Sequence, residues 1–249
     1  MKYHIETACD QGVVRSNNED AICYGNCVVK NEKLNVQWML IADGVGGHKA
    51  GEVASGQLVD YINNAFEQLK KQPEQGWLAW IEQQIQSANQ AIYNQALSQP
   101  SYEGMSTTGV LLVIDNHQCY LGWVGDSRAY TLSNHQLKQQ TKDHTMIQYL
   151  VDKGAITAEE AQKSNTKNLL SKAIGAKSEL EVEVLSFSVQ VGDALLLSTD
   201  GLHDYLTDEQ LTQYMANSNV NHSVCSDMIA QSIDQSSKDN ITVGIIKIY

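Results

Sequence analysis

The sequence predicts an α+β fold in which helices pack on largely antiparallel sheets. Short runs rich in β-branched and aromatic residues are the first observation, and two long stretches of helical periodicity are the second. The third is that strand-like runs follow one another from Gly109 to Leu132 with no helix between them. Because parallel strands need crossover helices, this arrangement favours antiparallel meanders.

Seven runs are predicted as strands because they are short, apolar and rich in Val, Ile, Leu and aromatic residues. In chain order they are VQWMLIAD, TGVLLVID, QCYLGWVGD, RAYTL, EVEVLSFSV, DALLLSTD and ITVGIIKI. Four of them end on an aspartate, which is typical of a strand that runs into a turn.

Apolar residues recur every three or four positions in Gly51–Lys71 and again in Trp77–Leu97. This spacing predicts two long amphipathic helices between the first and second predicted strands. Glutamines on the other face of the second stretch are typical of a solvated surface. Shorter helices are predicted at Thr145–Lys153, Thr157–Lys163, Thr207–Ala216 and His222–Ile233.

Length, composition and charge limit the classes of function. The 249 residues are 42% hydrophobic and contain no linker-like stretch, which favours one domain over residues 1–249. A net charge of −12 opposes nucleic-acid binding. No run resembles a membrane span or a signal sequence. Five scattered cysteines are interpreted as reduced packing residues, so we expect a cytoplasmic protein that binds no membrane.

Aspartates stand at the edges of several predicted strands. They are Asp20, Asp43, Asp126, Asp200 and Asp239. One such aspartate is usually a turn former, and Asp43-Gly44 alone is equally consistent with a tight turn or with a ligand site. Several on one sheet system could converge, and because carboxylates repel one another, cations would then be needed to keep them ionised. All-oxygen ligands suit Mg²⁺ or Mn²⁺ rather than zinc.

A pair of such ions would account for neighbouring features. Two ions about 3.5–4 Å apart would polarise a phosphoryl oxygen and lower the pKa of a bridging water. The bare Gly-Val-Gly-Gly turn after Asp43 would let backbone carbonyls and waters approach them. Arg15 offers a planar fork for two phosphate oxygens. It could instead pair with Glu19 or Asp20 and brace its loop.

Eight blocks along the whole chain resemble, in order, the metal-dependent serine/threonine protein phosphatases, the PPM or type 2C family, in its compact bacterial form. They are GVVRSNNEDA, ADGVGGHKAGEVAS, GMSTTGVLLV, GWVGDSRAY, TKDHT, LLSKAIGA, LLLSTDGL and KDNITV. The resemblance implies an αββα four-layer sandwich, with two mostly antiparallel β-sheets flanked by pairs of helices. It also implies a flap beside the active site, at residues 146–168.

The resemblance implies metal ligands among the aspartates. Asp43 would bridge two Mn²⁺ or Mg²⁺ ions, and the carbonyl of Gly44 would bind one of them. Asp200 and Asp239 would hold the other ion. Asp20 would complete the coordination directly or through water.

Further roles come from the same resemblance. Asp126 would help to bind a third, weaker ion, and Glu19 is a further candidate ligand. Arg15 would grip the substrate phosphate, which makes Arg15 and Asp43 the candidate catalytic residues.

Two positions in the segment after Asp43 concern proton transfer. Val45 stands where the animal enzymes have a histidine proposed as general acid, so we expect a metal-bound water to protonate the leaving serine. His48 could relay protons or order its loop. Asp143 and His144 are expected to support the fold rather than to react.

The predicted function is a protein phosphatase that hydrolyses phosphoserine and phosphothreonine by attack of a metal-activated water. Phosphorylated proteins would be its substrates, and a bacterial serine/threonine kinase would be its opposing partner. We expect the protein to be a monomer. The alternative is a non-catalytic relative that binds phosphoproteins and has lost its metals. Such a loss would replace Asp43, Asp200 or Asp239, and all three are aspartates here.

Overall fold

The computed structural model describes residues 1–29, 34–45, 50–157, 160–161, 169–217 and 223–249. Its strands are β1 (Tyr3–Asp10), β2 (Asp20–Val29), β3 (Leu34–Val45), β4 (Ser106–Thr107), β5 (Gly109–Asp115), β6 (Gln118–Val124), β7 (Arg128–Ser133), β8 (Gln136–Gln139), β9 (Glu183–Ser188), β10 (Ala194–Ser198) and β11 (Ile241–Ile248). Its α-helices are α1 (Gly51–Glu67), α2 (Trp77–Ser98), α3 (Met146–Asp152), α4 (Asp200–His203), α5 (Asp208–Ala216) and α6 (Val224–Asp234).

Two antiparallel sheets form the centre of the molecule. The first has the strand order β1-β11-β10-β7-β8. The second has the order β2-β3-β5-β6-β9, and the short strand β4 pairs with the end of β3. The predicted α+β class with mostly antiparallel sheets is therefore confirmed.

Alternation of side chains along the strands produces four layers. In β3, Met39 and Ile41 belong to the core between the two sheets, whereas Trp38 and Leu40 pack with residues of α1 and α2. On the other sheet, Leu196 of β10 packs with residues of α5 and α6. Each sheet thus carries one helix pair on its outer face, which is the αββα sandwich that the resemblance implies.

Most predicted helices are present with shifted ends. Helix α1 ends at Glu67, four residues before the predicted end. The side chain of Thr207 caps α5 in a reciprocal capping box with Gln210. The last helix begins at Val224, after Ser223 as its cap. The predicted helix at Thr157–Lys163 lies largely outside the described residues.

The sequence patterns did not predict β1, β2 or β8. Each of these strands lies at an outer edge of its sheet. An edge strand buries less of its surface, so its apolar pattern is weak. In β2, for example, Tyr24 and Val28 are 49% and 54% exposed. The strand β8 reads QLKQ, which has the polar character of a solvated edge.

The cysteines agree in part with the interpretation as packing residues that the sequence suggested. All five cysteines carry free thiols. Cys119 and Cys225 are buried packing residues, but Cys9 is exposed and accepts a hydrogen bond from Asn18, so the packing interpretation is wrong for Cys9. None of the described helices has the length and the apolar surface that crossing a bilayer requires.

Candidate active site

Strand ends from both sheets meet at one edge of the sandwich. Asp20 begins β2 and pairs in register with Asp43, near the end of β3. Asp126 lies between β6 and β7. Asp200 follows β10, and Asp239 precedes β11, which pairs with β10. The five aspartates that are far apart in sequence are thus brought to one place by strand pairing.

The strand ends border a cavity of about 620 Å³. Its acidic lining residues are Glu19, Asp43, Asp126, Asp200 and Asp239. Its cationic lining residues are Arg15, Lys172 and Lys177. Asp20 is 9% exposed and adds its charge to those of Asp43 and Asp200. The individual roles assigned to these residues from the sequence stay predictions.

Burial opposes ionisation of the carboxylates. It raises the pKa of Asp43 well above its usual range, and the neighbouring charge of Asp20 raises it further. Burial likewise raises the pKa of Asp20 to about 7 and that of Asp126 to about 7. The pKa of Asp200 is also well above its usual range, because of burial and then the charge of Asp126. These neighbouring carboxylates can all be ionised at neutral pH only if cations compensate their charges.

Asp20 fits a cation ligand most directly. Its Oδ2 accepts hydrogen bonds from the hydroxyls of Thr199 at 2.9 Å and Thr242 at 2.7 Å. Its Oδ1 is buried and has no hydrogen-bond partner among the described residues. A buried carboxylate oxygen without a partner is costly, so an ion or a water is expected there. Neither threonine was predicted from the sequence as a site residue, although Thr199 directly precedes Asp200 and Thr242 lies two positions after Asn240.

Gly44 allows a close contact between β3 and the start of α1. A Cβ atom at this position would lie 2.3 Å from the carbonyl oxygen of Gly51 and 2.5 Å from that of Glu19. The Gly44 N–H donates to the same Glu19 oxygen at 3.0 Å. Any other residue would therefore push apart the two segments that carry Glu19 and Asp43.

The arrangement is open rather than a closed cage. Within the described ranges, no three Asp, Glu, His or Cys side chains already surround one ion position. Magnesium sites usually contain only one or two carboxylates and several waters, so the donor set suits Mg²⁺ and the similar Mn²⁺. His48 and the rest of residues 46–49 lie outside the described residues.

Arg15 lies at the rim of the cavity and is paired with the carboxylate group. Its Nη2 is 2.6 Å from Oδ2 of Asp239, and its side chain is 52% exposed. The partner is therefore Asp239, 224 positions away, rather than the neighbouring Glu19 or Asp20. Because a guanidinium has five N–H donors, this pair leaves others for a phosphate group.

Asn240, which was not predicted from the sequence as a site residue, holds the loop that carries Arg15. Its side-chain oxygen accepts from the Glu19 N–H at 2.9 Å. Its side-chain nitrogen donates to the carbonyl oxygens of Gln11 at 2.8 Å and Asn17 at 2.9 Å. A buried asparagine thus fixes the loop at three points. The only sequence signal was its position directly after Asp239.

Asp143 and His144 hold neighbouring groups in place beside the site, in line with a supporting role. Asp143 accepts two hydrogen bonds in a fork from Arg128, at 2.9 and 2.6 Å. Nδ1 of His144 accepts from the N–H of Gly125 at 3.1 Å. Gly125 has a φ of +103° and precedes Asp126, so His144 helps to hold the turn that presents this aspartate.

The profile of the protein phosphatase 2C family matches residues 14–236. This chain belongs to the protein phosphatase 2C family. The match covers most of the chain and includes every residue that lines the cavity except Asp239 and Asn240, which lie three and four positions beyond it.

Relatives within this family cover almost the same length. The serine/threonine phosphatase stp of Listeria monocytogenes is 32% identical over 98% of this chain and 95% of that protein. The structure of the serine/threonine phosphatase Stp1 from Staphylococcus aureus matches with a TM-score of 0.91 at 30% identity, over 100% of this chain and 96% of that one. The catalytic domain of the phosphatase PstP, in complex with 2 manganese ions, matches with a TM-score of 0.83 at 31% identity, over 98% and 97% of the chains.

Proposed function

We propose that this chain is a protein serine/threonine phosphatase that depends on bound divalent cations. The observation that carries the proposal is the convergence of buried carboxylates from both sheets on one cavity, in a member of the protein phosphatase 2C family. The names of its relatives support phosphoserine and phosphothreonine as substrates, because this chain matches stp and Stp1 over nearly their full lengths.

The proposed ligands of two Mn²⁺ or Mg²⁺ ions are the central carboxylates. Asp43 would bridge the ions, with the carbonyl of Gly44 on one and Asp200 and Asp239 on the other. Asp20 would complete the set, with the buried Oδ1 as its available atom. The two manganese ions in the PstP complex support the number of ions. When bound, such ions would polarise the phosphoryl group and make a water more acidic.

Residues around this centre would act on the substrate. Arg15 would bind two phosphate oxygens and orient the phosphorus atom toward the carboxylates. Val45 lines the cavity and has no proton to donate, so a water would protonate the leaving serine or threonine oxygen. Asp126 is the proposed ligand of a third, weaker ion, and Glu19 is a further candidate ligand.

The proposal extends to the cellular setting. Phosphorylated proteins would be the substrates, and a bacterial serine/threonine kinase would add the groups that this enzyme removes. Five free thiols support a cytoplasmic location. A monomer with one domain over residues 1–249 remains our prediction, as does a flap at residues 146–168, part of which lies outside the described residues.

Removal of divalent ions tests the proposed function. The protein is treated with EDTA and desalted, and phosphate release from a phosphothreonine peptide and from p-nitrophenyl phosphate is measured. We expect hydrolysis to stop, because the carboxylates alone provide no electrophile, and to return when Mn²⁺ or Mg²⁺ is added. Elemental analysis before and after chelation reports the ions removed.

Two other results would decide against this function. Full activity of a protein shown to be free of metal would exclude metal dependence. Binding of phosphopeptides without hydrolysis, at saturating Mn²⁺, would favour the non-catalytic phosphoprotein-binding alternative.

Replacing Arg15 tests its role in binding phosphate. A charge-assisted contact of this kind contributes about 1.5–3 kcal/mol, so Arg15→Ala should lower kcat/KM roughly ten- to a hundredfold. Arg15→Lys keeps the charge but loses the fork, so its loss should be smaller. Inhibition by inorganic phosphate should weaken. The affinity of this variant for Mn²⁺ should not fall, because Arg15 forms an ion pair with the Asp239 carboxylate in this structure and its removal leaves that carboxylate free to bind a cation.

The matched control removes a cation at the far end of the sandwich. Lys2 hydrogen-bonds through its backbone to Tyr249, at the end of β1 remote from the cavity, so Lys2→Ala should leave phosphate inhibition unchanged. If Arg15→Ala weakens Mn²⁺ affinity and leaves phosphate inhibition intact, Arg15 is a brace for Asp239 and not a substrate clamp.

A further inference from the structure

One side of the cavity is formed by residues 169–178, which we call the pocket wall. Seven residues of this segment line the cavity. Lys172 and Lys177 are its two cationic members, and neither was predicted from the sequence as a site residue. The pocket wall therefore brings positive charge to a cavity whose other walls are mostly acidic.

The backbone of the pocket wall is held in place by hydrogen bonds. Ile174 exchanges two backbone hydrogen bonds with Thr107, at 2.9 and 2.8 Å. Asn89 of α2, which is 1% exposed, accepts from the Gly175 N–H at 2.7 Å and donates to the Lys177 carbonyl at 2.9 Å. Gly175 has a φ of +90° and packs against Ile92. The backbone that presents Lys177 is thus fixed before any substrate binds, which reduces the entropic cost of a contact there.

Lys177 differs from the other cations of the cavity in having no counter-charge. Arg15 pairs with Asp239 at 2.6 Å, and Lys172 pairs with Glu181 at 2.8 Å. Lys177 is exposed and forms no ion pair with any residue that the structure describes. Its ammonium group is therefore available to a ligand that enters the cavity.

The overall charge makes this cation more significant. The chain carries a net charge of −12, so an acidic protein segment is repelled at long range. At short range, the unpaired ammonium of Lys177 at the cavity attracts an acidic group of the ligand, and this offsets the repulsion for that one group. The exposed, flexible lysine side chain recognises a negative charge. It does not require the planar arrangement of acceptor oxygens that an arginine would select.

We propose that Lys177 binds an acidic side chain of the phosphoprotein substrate, a few residues from the phosphoserine or phosphothreonine. This inference rests on the proposed phosphatase function and specifies its substrate class. Lys177 is a specificity-determining residue in this scheme and does not contact the reacting atoms. An exposed ion pair is weak, so the preference for an acidic over a neutral flanking residue should be about three- to fivefold in kcat/KM.

The test compares phosphothreonine peptides that differ only at one flanking position, with Asp, Asn or Lys in turn at positions −3 to +3. The Mn²⁺-loaded full chain is assayed at low and high salt, and the ratio of kcat/KM values between peptides is the readout. The wild-type enzyme should prefer Asp at one or two positions, and salt should reduce the preference because the pair is exposed. Lys177→Ala should abolish that preference, and Lys177→Glu should convert it into a preference for Lys.

The control variant changes the net charge by the same amount as Lys177→Glu, but at a position remote from the cavity. Lys2→Glu, at the far end of β1, should keep the wild-type ratio. If Lys2→Glu shifts the ratio as much as Lys177→Glu does, the preference reflects net charge and the proposal is wrong. It is also wrong if Lys177→Glu keeps the wild-type ratio, or if Lys177→Ala weakens inhibition by inorganic phosphate and leaves the ratio unchanged. Failure of the wild-type enzyme to hydrolyse any phosphopeptide would instead overturn the phosphatase function itself.

Discussion

Asp200→Asn and Asp239→Asn should each reduce phosphatase turnover by roughly a thousandfold at saturating Mn²⁺, because each would remove a charged ligand from the proposed metal centre, which would stabilise the transition state. The substitution keeps the volume of the side chain, so the fold should survive. Circular dichroism and kcat measured on the same preparations separate the two effects.

The stability of the metal-free protein provides a second readout for the same variants. Burial and mutual repulsion raise the pKa of Asp43 and of Asp200 well above the usual range, so these carboxylates destabilise each other in the absence of cations. In EDTA, Asp200→Asn should therefore melt at a higher temperature than the wild type. With Mn²⁺ the order should reverse, because the wild type gains more from binding the ion.

Asp60→Asn is the matched control, since Asp60 is exposed on α1 and lies outside the cavity lining. It should change neither turnover nor the melting temperature in EDTA beyond the scatter of the measurement. Near-wild-type rates for Asp200→Asn or Asp239→Asn at saturating metal would show that the ligand assignment is wrong.

Gly201→Ala should destabilise the protein by about 3 kcal/mol, which for a chain of this size lowers the melting temperature by about 6–12 °C. A Cβ atom on Gly201 would lie 1.9 Å from the carbonyl oxygen of Asn240. The Gly201 carbonyl is itself held by the hydroxyls of Ser232 at 2.6 Å and Ser237 at 2.9 Å, so α4 has little freedom to move. The clash would separate Asp200 from Asp239, and activity should fall as well.

Gly56→Ala is the opposite case and serves as the control. Gly56 lies within α1, and a Cβ atom there would have no neighbour within 4 Å. Alanine in a helix interior is favoured over glycine by about 0.5–1 kcal/mol, so this variant should be slightly more stable than the wild type. Equal melting temperatures for the two variants would contradict the close packing of α4 against the start of β11.

The central strands and the two long helices were predictable from local patterns, whereas the edge strands β1, β2 and β8 were not, although the edge strand β9 was. β3 reads as a strand because both of its faces are buried, so nearly every residue from Val36 to Ala42 is apolar. The helices α1 and α2 each need an apolar stripe to cover that sheet. β1, β2 and β8 need less apolar surface because they lie at sheet edges, and their sequences resemble loops for that reason.

The candidate ligands were also readable, because each sits in a short motif of its own. An aspartate beside a glycine at the end of an apolar run is a local feature, and Asp43, Asp126 and Asp200 all share it. Lys177 has no such feature. Its surroundings in the sequence resemble an ordinary solvated loop, and the contacts of the pocket wall with Thr107 and Asn89 place it at the cavity.

The sequence by itself determined the α+β class, the family resemblance and the set of candidate carboxylates, because each depends on the chemistry of a few consecutive residues. Only the tertiary structure decided which groups meet. Arg15 pairs with Asp239 across 224 positions, and Asn89 holds Gly175 across 86. Such contacts follow from how the strands pair and how the helices pack on them. A local pattern contains no information on the distance or direction between segments so far apart in the chain. It therefore cannot specify which side chain neutralises a given charge. Nor can it specify which charged side chain, such as Lys177, stays available to a binding partner.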